Sequence, residues 1–357
     1  SENNNEDCKE IRIYIDYSYI DNQIEESKYN DIKQGLNETV ETIKKLIKVK
    51  NRAKLINLIE NRELEGWDFL STINENERNL TNDSGIETYL IVMLKFTEND
   101  NIIAKGIPKI RDWETNRPIV GVLLINKLKI WDNLPNYIRY IKAIFLHQLT
   151  HILGFTYEMF QYFPNGINET IKEEKENRTN FIKKFIKTPK VVEFAKKYYN
   201  CPSITGVELE DSLGYDELNN SHWEARILLG EYMISMPHTS EEVISEFTLS
   251  LLEDSEWYKV NYYTGGLMRF GKNQGCEFLK EDCFTSDGKD TNFKNDFFLP
   301  DYRTSCSSGR QSRGYRIQSA PPTGDYKREF VLNIYGKDIV DYCPVNENYP
   351  NADKEEN

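Results

Sequence analysis

This 357-residue chain has no apolar run long enough to cross a membrane as a helix, which takes about 20 consecutive apolar residues. It also lacks a surplus of basic residues: 45 Lys and Arg stand against 58 Asp and Glu, for a formal net charge of −13. Without a basic face there is little to displace phosphate counterions, so nucleic acid is excluded as a partner. Ser1 opens no basic-then-apolar leader, as expected of a mature, processed chain. The polar end from Asn351 to Asn357 carries no lipid-anchor signal. Histidine is scarce as well, with only His147, His151, His222 and His238. That scarcity gives weight to where the four stand.

Two of them are four residues apart, in His147-Gln148-Leu149-Thr150-His151-Ile152-Leu153-Gly154-Phe155. Residues at this spacing share one face of an α-helix. Apolar residues at Ile138, Ile141, Ile144, Phe145, Leu149, Ile152 and Leu153 keep a helical period, and Gly154 follows as a C-terminal breaker. Two imidazoles on one face can share a Zn²⁺ ion, and catalytic zinc sites take three protein ligands and an open position. With four histidines, such a pair arises by chance in about one chain in twenty. The plain alternative is a buried amphipathic helix that happens to carry both. The spacing is that of the zinc-peptidase pattern His-Glu-x-x-His, with Gln148 in place of the glutamate. A glutamate there takes a proton from the attacking water and passes it to the leaving amine. Glutamine hydrogen-bonds water, but its amide takes up no proton at neutral pH.

A third ligand must come from elsewhere. The position three residues after Gly154 is Tyr157, so the short three-histidine form is broken. His222 lies in Asn220-Ser221-His222-Trp223-Glu224, and Met233 follows eleven residues later. A histidine followed by a methionine turn is the second half of a metzincin site, where the methionine underlies the metal. Taken singly, His222 could be a surface or capping histidine and Met233 a core filler. His238, in Met236-Pro237-His238-Thr239, reads as an exposed loop residue, and neither Glu158 nor Glu231 is nominated as a substitute base.

Beyond these motifs the chain resembles the leishmanolysin family of surface metallopeptidases. Arg117-Pro118-Ile119-Val120-Gly121-Val122 is similar to the family's strand before the active-site helix. Thr188-Pro189-Lys190-Val191-Val192-Glu193-Phe194-Ala195 is similar to its helix before a cysteine, here Cys201. Gly206-Val207-Glu208-Leu209-Glu210-Asp211 resembles the segment leading to the third histidine. Leu251 to Tyr258, Gly271 to Cys276 and Asp341 to Val345 extend the likeness, which covers residues 8 to 346. The resemblance implies a zinc endopeptidase acting on protein or peptide substrates. His147, His151 and His222 would be the metal ligands, Met233 the methionine of the turn, and Gln148 would stand at the general base.

Six cysteines form an even set, and an extracellular setting would make them three disulfides among fifteen possible pairings. The resemblance implies Cys201 with Cys276 and Cys283 with Cys343, leaving Cys8 and Cys306 as a third pair. Asn-x-Ser/Thr acceptors occur at Asn37, Asn79, Asn82, Asn168, Asn177 and Asn219. An extracellular or cell-surface location follows from this reading.

The expected class is α+β in three parts. Residues 1–156 form a metzincin-like domain, a mixed twisted sheet with two helices. Residues 157–268 are mainly helical and bring the third ligand and Met233. Residues 269–357 form a loop-rich domain stapled by disulfides. Strands are expected at Ile11–Ile20, Thr88–Phe96 and Pro118–Asn126, and helices at Asn37–Leu64, Asn136–Phe155, Ile171–Ile186 and Ser240–Glu253. The charged run Lys172–Lys184 reads as a solvated helix face, and Ser305–Gly314 as a loop open to proteolysis.

Two origins fit Gln148. It is an exchange made in an active peptidase, or it is natural and the chain is a pseudo-peptidase that binds without cutting. The natural case includes an extracellular binding or structural protein within a surface assembly.

Overall fold

A computed structural model shows what the apolar runs build. It describes residues 8–20, 23–50, 89–99, 102–112, 114–131, 137–175, 182–210, 220–235, 243–264 and 266–281, and then 283, 285, 291–293, 296–297, 304–306, 313–316 and 346–348. The strands are Lys9–Glu10 (β1), Arg12–Asp16 (β2), Ile47–Val49 (β3), Tyr89–Thr97 (β4), Ala104–Arg111 (β5) and Pro118–Asn126 (β6). They continue with Ile171–Lys175 (β7), Ile182–Ile186 (β8), Val207–Glu208 (β9), Tyr258–Val260 (β10), Thr304–Cys306 (β11), Arg313–Arg316 (β12) and Asn346–Asn348 (β13). The helices are Glu26–Leu46 (α1), Tyr137–Leu153 (α2), Tyr157–Phe160 (α3), Ile167–Thr170 (α4), Pro189–Tyr199 (α5), Ala225–Leu228 (α6), Glu246–Asp254 (α7) and Glu277–Lys280 (α8). The architecture is mixed α+β with several small sheets.

The largest sheet runs β2-β4-β6-β5. The first three strands are parallel, and β5 closes the row antiparallel to β6. Parallel strands covered on both faces read as continuous apolar runs, and Leu90 to Leu94 is buried throughout. Leu90, Val92, Leu94, Leu123 and Ile125 face the main core, while Ile91, Met93, Val120 and Val122 pack on the other side. Helices α1 and α2 belong to the main-core side, through Ile32, Leu36, Ile141, Phe145, Leu149 and Ile152.

The metal-motif helix lies unusually close to the sheet. A Cβ on Gly121 would come within 2.3 Å of Ile152, and one on Gly106 within 2.0 Å of the Gln148 carbonyl oxygen. Neither contact leaves room for any side chain at those positions.

Several elements differ from what the sequence pattern predicts. The first helix begins at Glu26, well before Asn37, and ends at Leu46, while positions 51 to 64 of the expected helix lie outside the described residues. It stops because Ile47 and Val49, β-branched and buried, enter a sheet between β1 and β10. The described parts of the run 171–186, β7 and β8, are antiparallel strands and not a helix. Ile171 faces Ile186 across the pair, and Glu173 faces Lys184 and forms an ion pair with it at 3.8 Å, whereas Lys183 pairs with Glu208 and Glu174 with Lys172. The last central helix starts at Glu246, where Ser245 caps the Phe247 N–H at 3.2 Å, because Val243 is already bridged to Glu231. Among its described residues the central part is therefore mixed, not mainly helical. The N-terminal strand is short, since Asp16 accepts the Ser18 N–H and turns the chain. Strand β5 has no clear alternation in the sequence to announce it. Ser305, Cys306, Arg313 and Gly314 lie in a β11-β12-β13 sheet, so the expected loop is strand at both ends.

Cys201 and Cys276 form a disulfide with Cα atoms 4.9 Å apart. Cys283 is also disulfide-bonded. Cys8 is a free thiol, which corrects the expected Cys8–Cys306 pair. The two cysteines belong to different sheets: Cys8 leads into β1 and Cys306 ends β11.

Of the sequons, Asn37 and Asn168 are exposed on α1 and α4, while Asn79, Asn82, Asn177 and Asn219 lie outside the described residues. No helix among the described residues is long and apolar enough to cross a membrane.

Candidate metal centre

The site begins with the end of α2. Its apolar stripe buries Ile141, Ile144, Phe145, Leu149, Ile152 and Leu153, which fixes the rotation of the helix and turns His147 and His151 inward. Gly154, at φ +128°, ends the helix. Its N–H donates to the His151 carbonyl at 3.0 Å, and that of Phe155 to Thr150 at 3.1 Å. The Trp257 ring packs where a Gly154 side chain would be, and the Tyr258 hydroxyl donates to the Leu153 carbonyl at 3.0 Å.

His222 arrives on a separate segment. Its carbonyl accepts the Glu210 N–H at 2.9 Å, and the next residue, Trp223, donates its N–H to the Met233 carbonyl at 3.0 Å. Trp223 thus bridges Leu209 on one side and Ile234 on the other. Ser221 accepts the Tyr157 N–H at 3.1 Å, which ties this segment to the chain just past α2. Met233 is fully buried.

The three side chains converge. The Nε2 atoms of His147 and His222 are 3.0 Å apart, those of His147 and His151 3.0 Å, and those of His151 and His222 3.1 Å. All three rings are buried. His147 Nδ1 donates to the Tyr232 carbonyl at 2.7 Å and His151 Nδ1 to the Phe155 carbonyl at 2.6 Å. A carbonyl only accepts, so both rings carry their proton on Nδ1 and aim a bare Nε2 lone pair inward. Lone pairs this close repel unless a cation lies among them. Nitrogens about 2.0–2.1 Å from one tetrahedral zinc ion stand roughly 3.3–3.4 Å apart, slightly wider than the spacing here, and three imidazoles with an open fourth position are a fitting zinc set.

Around the ligands the polar groups are matched. The Tyr232 hydroxyl donates to Thr150 Oγ1 at 3.1 Å, and Thr150 donates to the Leu146 carbonyl at 2.8 Å. Burial, with Glu231 beside it, holds the Tyr232 phenol well above its ordinary pKa. Glu231 is fully buried, and burial pushes its carboxyl up to about 7, against the opposing effect of the hydrogen bonds it accepts. Gln148, 9% exposed, accepts the Gly106 N–H on Oε1 at 2.7 Å. Because that partner is a donor, the amide is oriented with its oxygen toward β5 and its NH₂ away from that bond.

The structure brings His147, Gln148, His151, His222 and the Met233 segment together. His238 lies outside the described residues, and Glu158 is exposed. Sequence reading missed the carbonyls of Tyr232 and Phe155, and Gly106. The Phe155 contact had a signal in Gly154, which turns the chain back over the helix end. The Gly106 contact had none, since Ala104 to Arg111 mixes charge, glycine and proline without clear alternation.

Comparison with known proteins agrees with this geometry. The family model described as leishmanolysin matches residues 25–357. A leishmanolysin-like peptidase of Drosophila melanogaster is 29% identical over 201 residues, 47% of this chain and 29% of that protein. A leishmanolysin homolog of Crithidia fasciculata is 30% identical over 243 residues, 65% of this chain and 34% of the relative. Leishmanolysin of Leishmania tropica is 27% identical over 254 residues, 66% of this chain and 35% of the relative. The chain thus spans a minor part of the length of these relatives.

Proposed function

Because the chain belongs to the leishmanolysin family of zinc metallopeptidases, with His147, His151 and His222 as its metal site, we propose that it is an endopeptidase scaffold whose general base is replaced by Gln148. The observation that carries this is the convergence of three histidine Nε2 atoms within 3.1 Å of one another, with Gln148 one residue from a ligand.

In this reading segment 1–156 supplies His147 and His151, segment 157–268 supplies His222 and Met233, and segment 269–357 is the disulfide-stapled remainder. Zinc held by the histidines supplies a Lewis acid that acidifies water and polarises a carbonyl. The chain's own part is to hold the ligands and to move the proton. Tyr232 and Phe155 fix the imidazole tautomers, and buried Met233 forms the apolar floor of the site. Strand β5, the outer strand, is where an extended peptide would lie. The proton step is what fails. The Gln148 oxygen is held by Gly106, and its NH₂ only donates. A glutamate at 148 would keep the Gly106 bond with one oxygen and offer the other to the water. Losing a general base typically costs about 10²–10⁴ in rate.

The Cys201–Cys276 disulfide supports an oxidising compartment, hence an extracellular or cell-surface location. Asn37 and Asn168 are proposed glycan acceptors.

The second reading is a natural pseudo-peptidase that serves as an extracellular binding or structural protein. The specific observation favouring it is that Gln148 is fully accommodated, buried and hydrogen-bonded. Peptide cleavage by Gln148→Glu with zinc separates the two. Cleavage supports the peptidase scaffold, and a zinc-loaded variant that cuts nothing supports the binding protein.

A further inference from the structure

We infer that Glu231 is a positioning residue for the metal centre: its buried carboxylate ties the turn carrying Tyr232 and Met233 to helix α7 and, through Thr248, to Trp223 beside His222. This rests on reading the three histidines as a zinc site.

The carboxylate gathers donors from separate segments. Oε2 accepts the Met233 N–H. Oε1 accepts the Ser245 hydroxyl at 2.8 Å and the Thr248 hydroxyl at 2.6 Å. Thr248 Oγ1 in turn accepts the Trp223 indole N–H at 2.9 Å. The backbone runs the same way: Tyr232 donates to the Val243 carbonyl at 3.1 Å and Val243 to the Gly230 carbonyl at 2.8 Å. Among the described residues no lysine or arginine forms an ion pair with Glu231.

A carboxylate buried without a cation is costly to a fold, and an apolar residue would fill the same space more cheaply. What an apolar residue cannot do is accept hydrogen bonds from the turn and from a helix N-terminus at once. The consequence falls on the ligands. Tyr232, whose carbonyl orients His147, sits between Glu231 and the Met233 N–H that Glu231 holds. Trp223, which directly follows His222, is held at its ring by Thr248 and at its N–H by Met233. Two of the three ligands are thus next to groups that Glu231 fixes, while His151 is anchored independently by Phe155.

The test is zinc affinity of the full chain, by competition with a chromophoric chelator, alongside near-ultraviolet circular dichroism of the metal-free protein. Folded Glu231→Ala is expected to bind zinc about 10–100-fold more weakly. Glu231→Gln, whose amide oxygen can still accept the Met233 N–H, is expected to stay near the parent. Parent-like affinity in a folded Glu231→Ala, or a Glu231→Gln as weak as the alanine variant, overturns the inference. If Glu231→Ala does not fold, Thr248→Val decides, since it cuts the tie to Trp223 while keeping the shape. A folded Thr248→Val with weakened zinc binding supports the inference, and unchanged affinity overturns it. A parent chain that takes up no zinc overturns the reading of the centre and this inference with it. Zinc binding by the parent with variants unchanged overturns this inference alone.

Discussion

The backbone N–H of Gly106 donates to Gln148 Oε1 at 2.7 Å, joining the outer strand of the sheet to the residue between the two helical metal ligands. The contact exists because Gly106 has no side chain, for a Cβ there would meet the Gln148 carbonyl oxygen at 2.0 Å. Gly106→Ala must therefore push α2 off the sheet. We expect a loss of about 3 kcal/mol or more in unfolding free energy, read by denaturant titration. A variant as stable as the parent would show that the helix does not lie this close.

Zinc should stabilise the folded chain through the histidines. Ligand at a thousand times its dissociation constant adds about 4 kcal/mol. Chelator should thus lower the unfolding midpoint of the parent and leave that of His222→Ala unmoved. Equal chelator sensitivity in both would place the metal elsewhere.

Glu231 predicts a pH dependence. Its carboxyl is raised from 4.5 to about 7 in the fold by burial, so the folded state holds more protons than the unfolded state between those values. Stability from this group is then full below about pH 4.5 and is lost as pH rises toward 7. Relative to Glu231→Gln, the parent should lose on the order of 3 kcal/mol between pH 4.5 and pH 8. A constant difference between the two proteins across that range would refute the shift.

The Cys201–Cys276 bridge closes 75 residues of chain. The double variant Cys201→Ser/Cys276→Ser should be less stable by about 2–4 kcal/mol. Cys8, a free thiol, should react with a thiol reagent without reductant, and Cys8→Ser should leave the unfolding midpoint unchanged.

The sequence carried the metal helix clearly, because the apolar period, the i,i+4 histidines and Gly154 all describe one amphipathic element with a defined end. Strands β4 and β6 were readable as short apolar runs for the same reason. The strand pair β7–β8 was not, since a Lys/Glu-rich run satisfies a helix surface as well as a strand pair and only the partner strand decides. Nor was the end of α1, where pairing of Ile47 and Val49 overrides helix propensity. His222 stands 71 residues from His151, so no local pattern links them, and it was found through Met233 and the wider resemblance. The contacts of Gly106 with Gln148 and of Glu231 with Ser245 and Thr248 are tertiary, and their residue types announce nothing.

The most direct test compares the parent and Gln148→Glu, each loaded with one zinc per chain, in the rate of cleavage of an unstructured peptide. The account predicts a rise of about 10²–10⁴ or more on restoring the carboxylate, abolished by His222→Ala. A folded, zinc-loaded Gln148→Glu that cleaves no faster than the parent would contradict it.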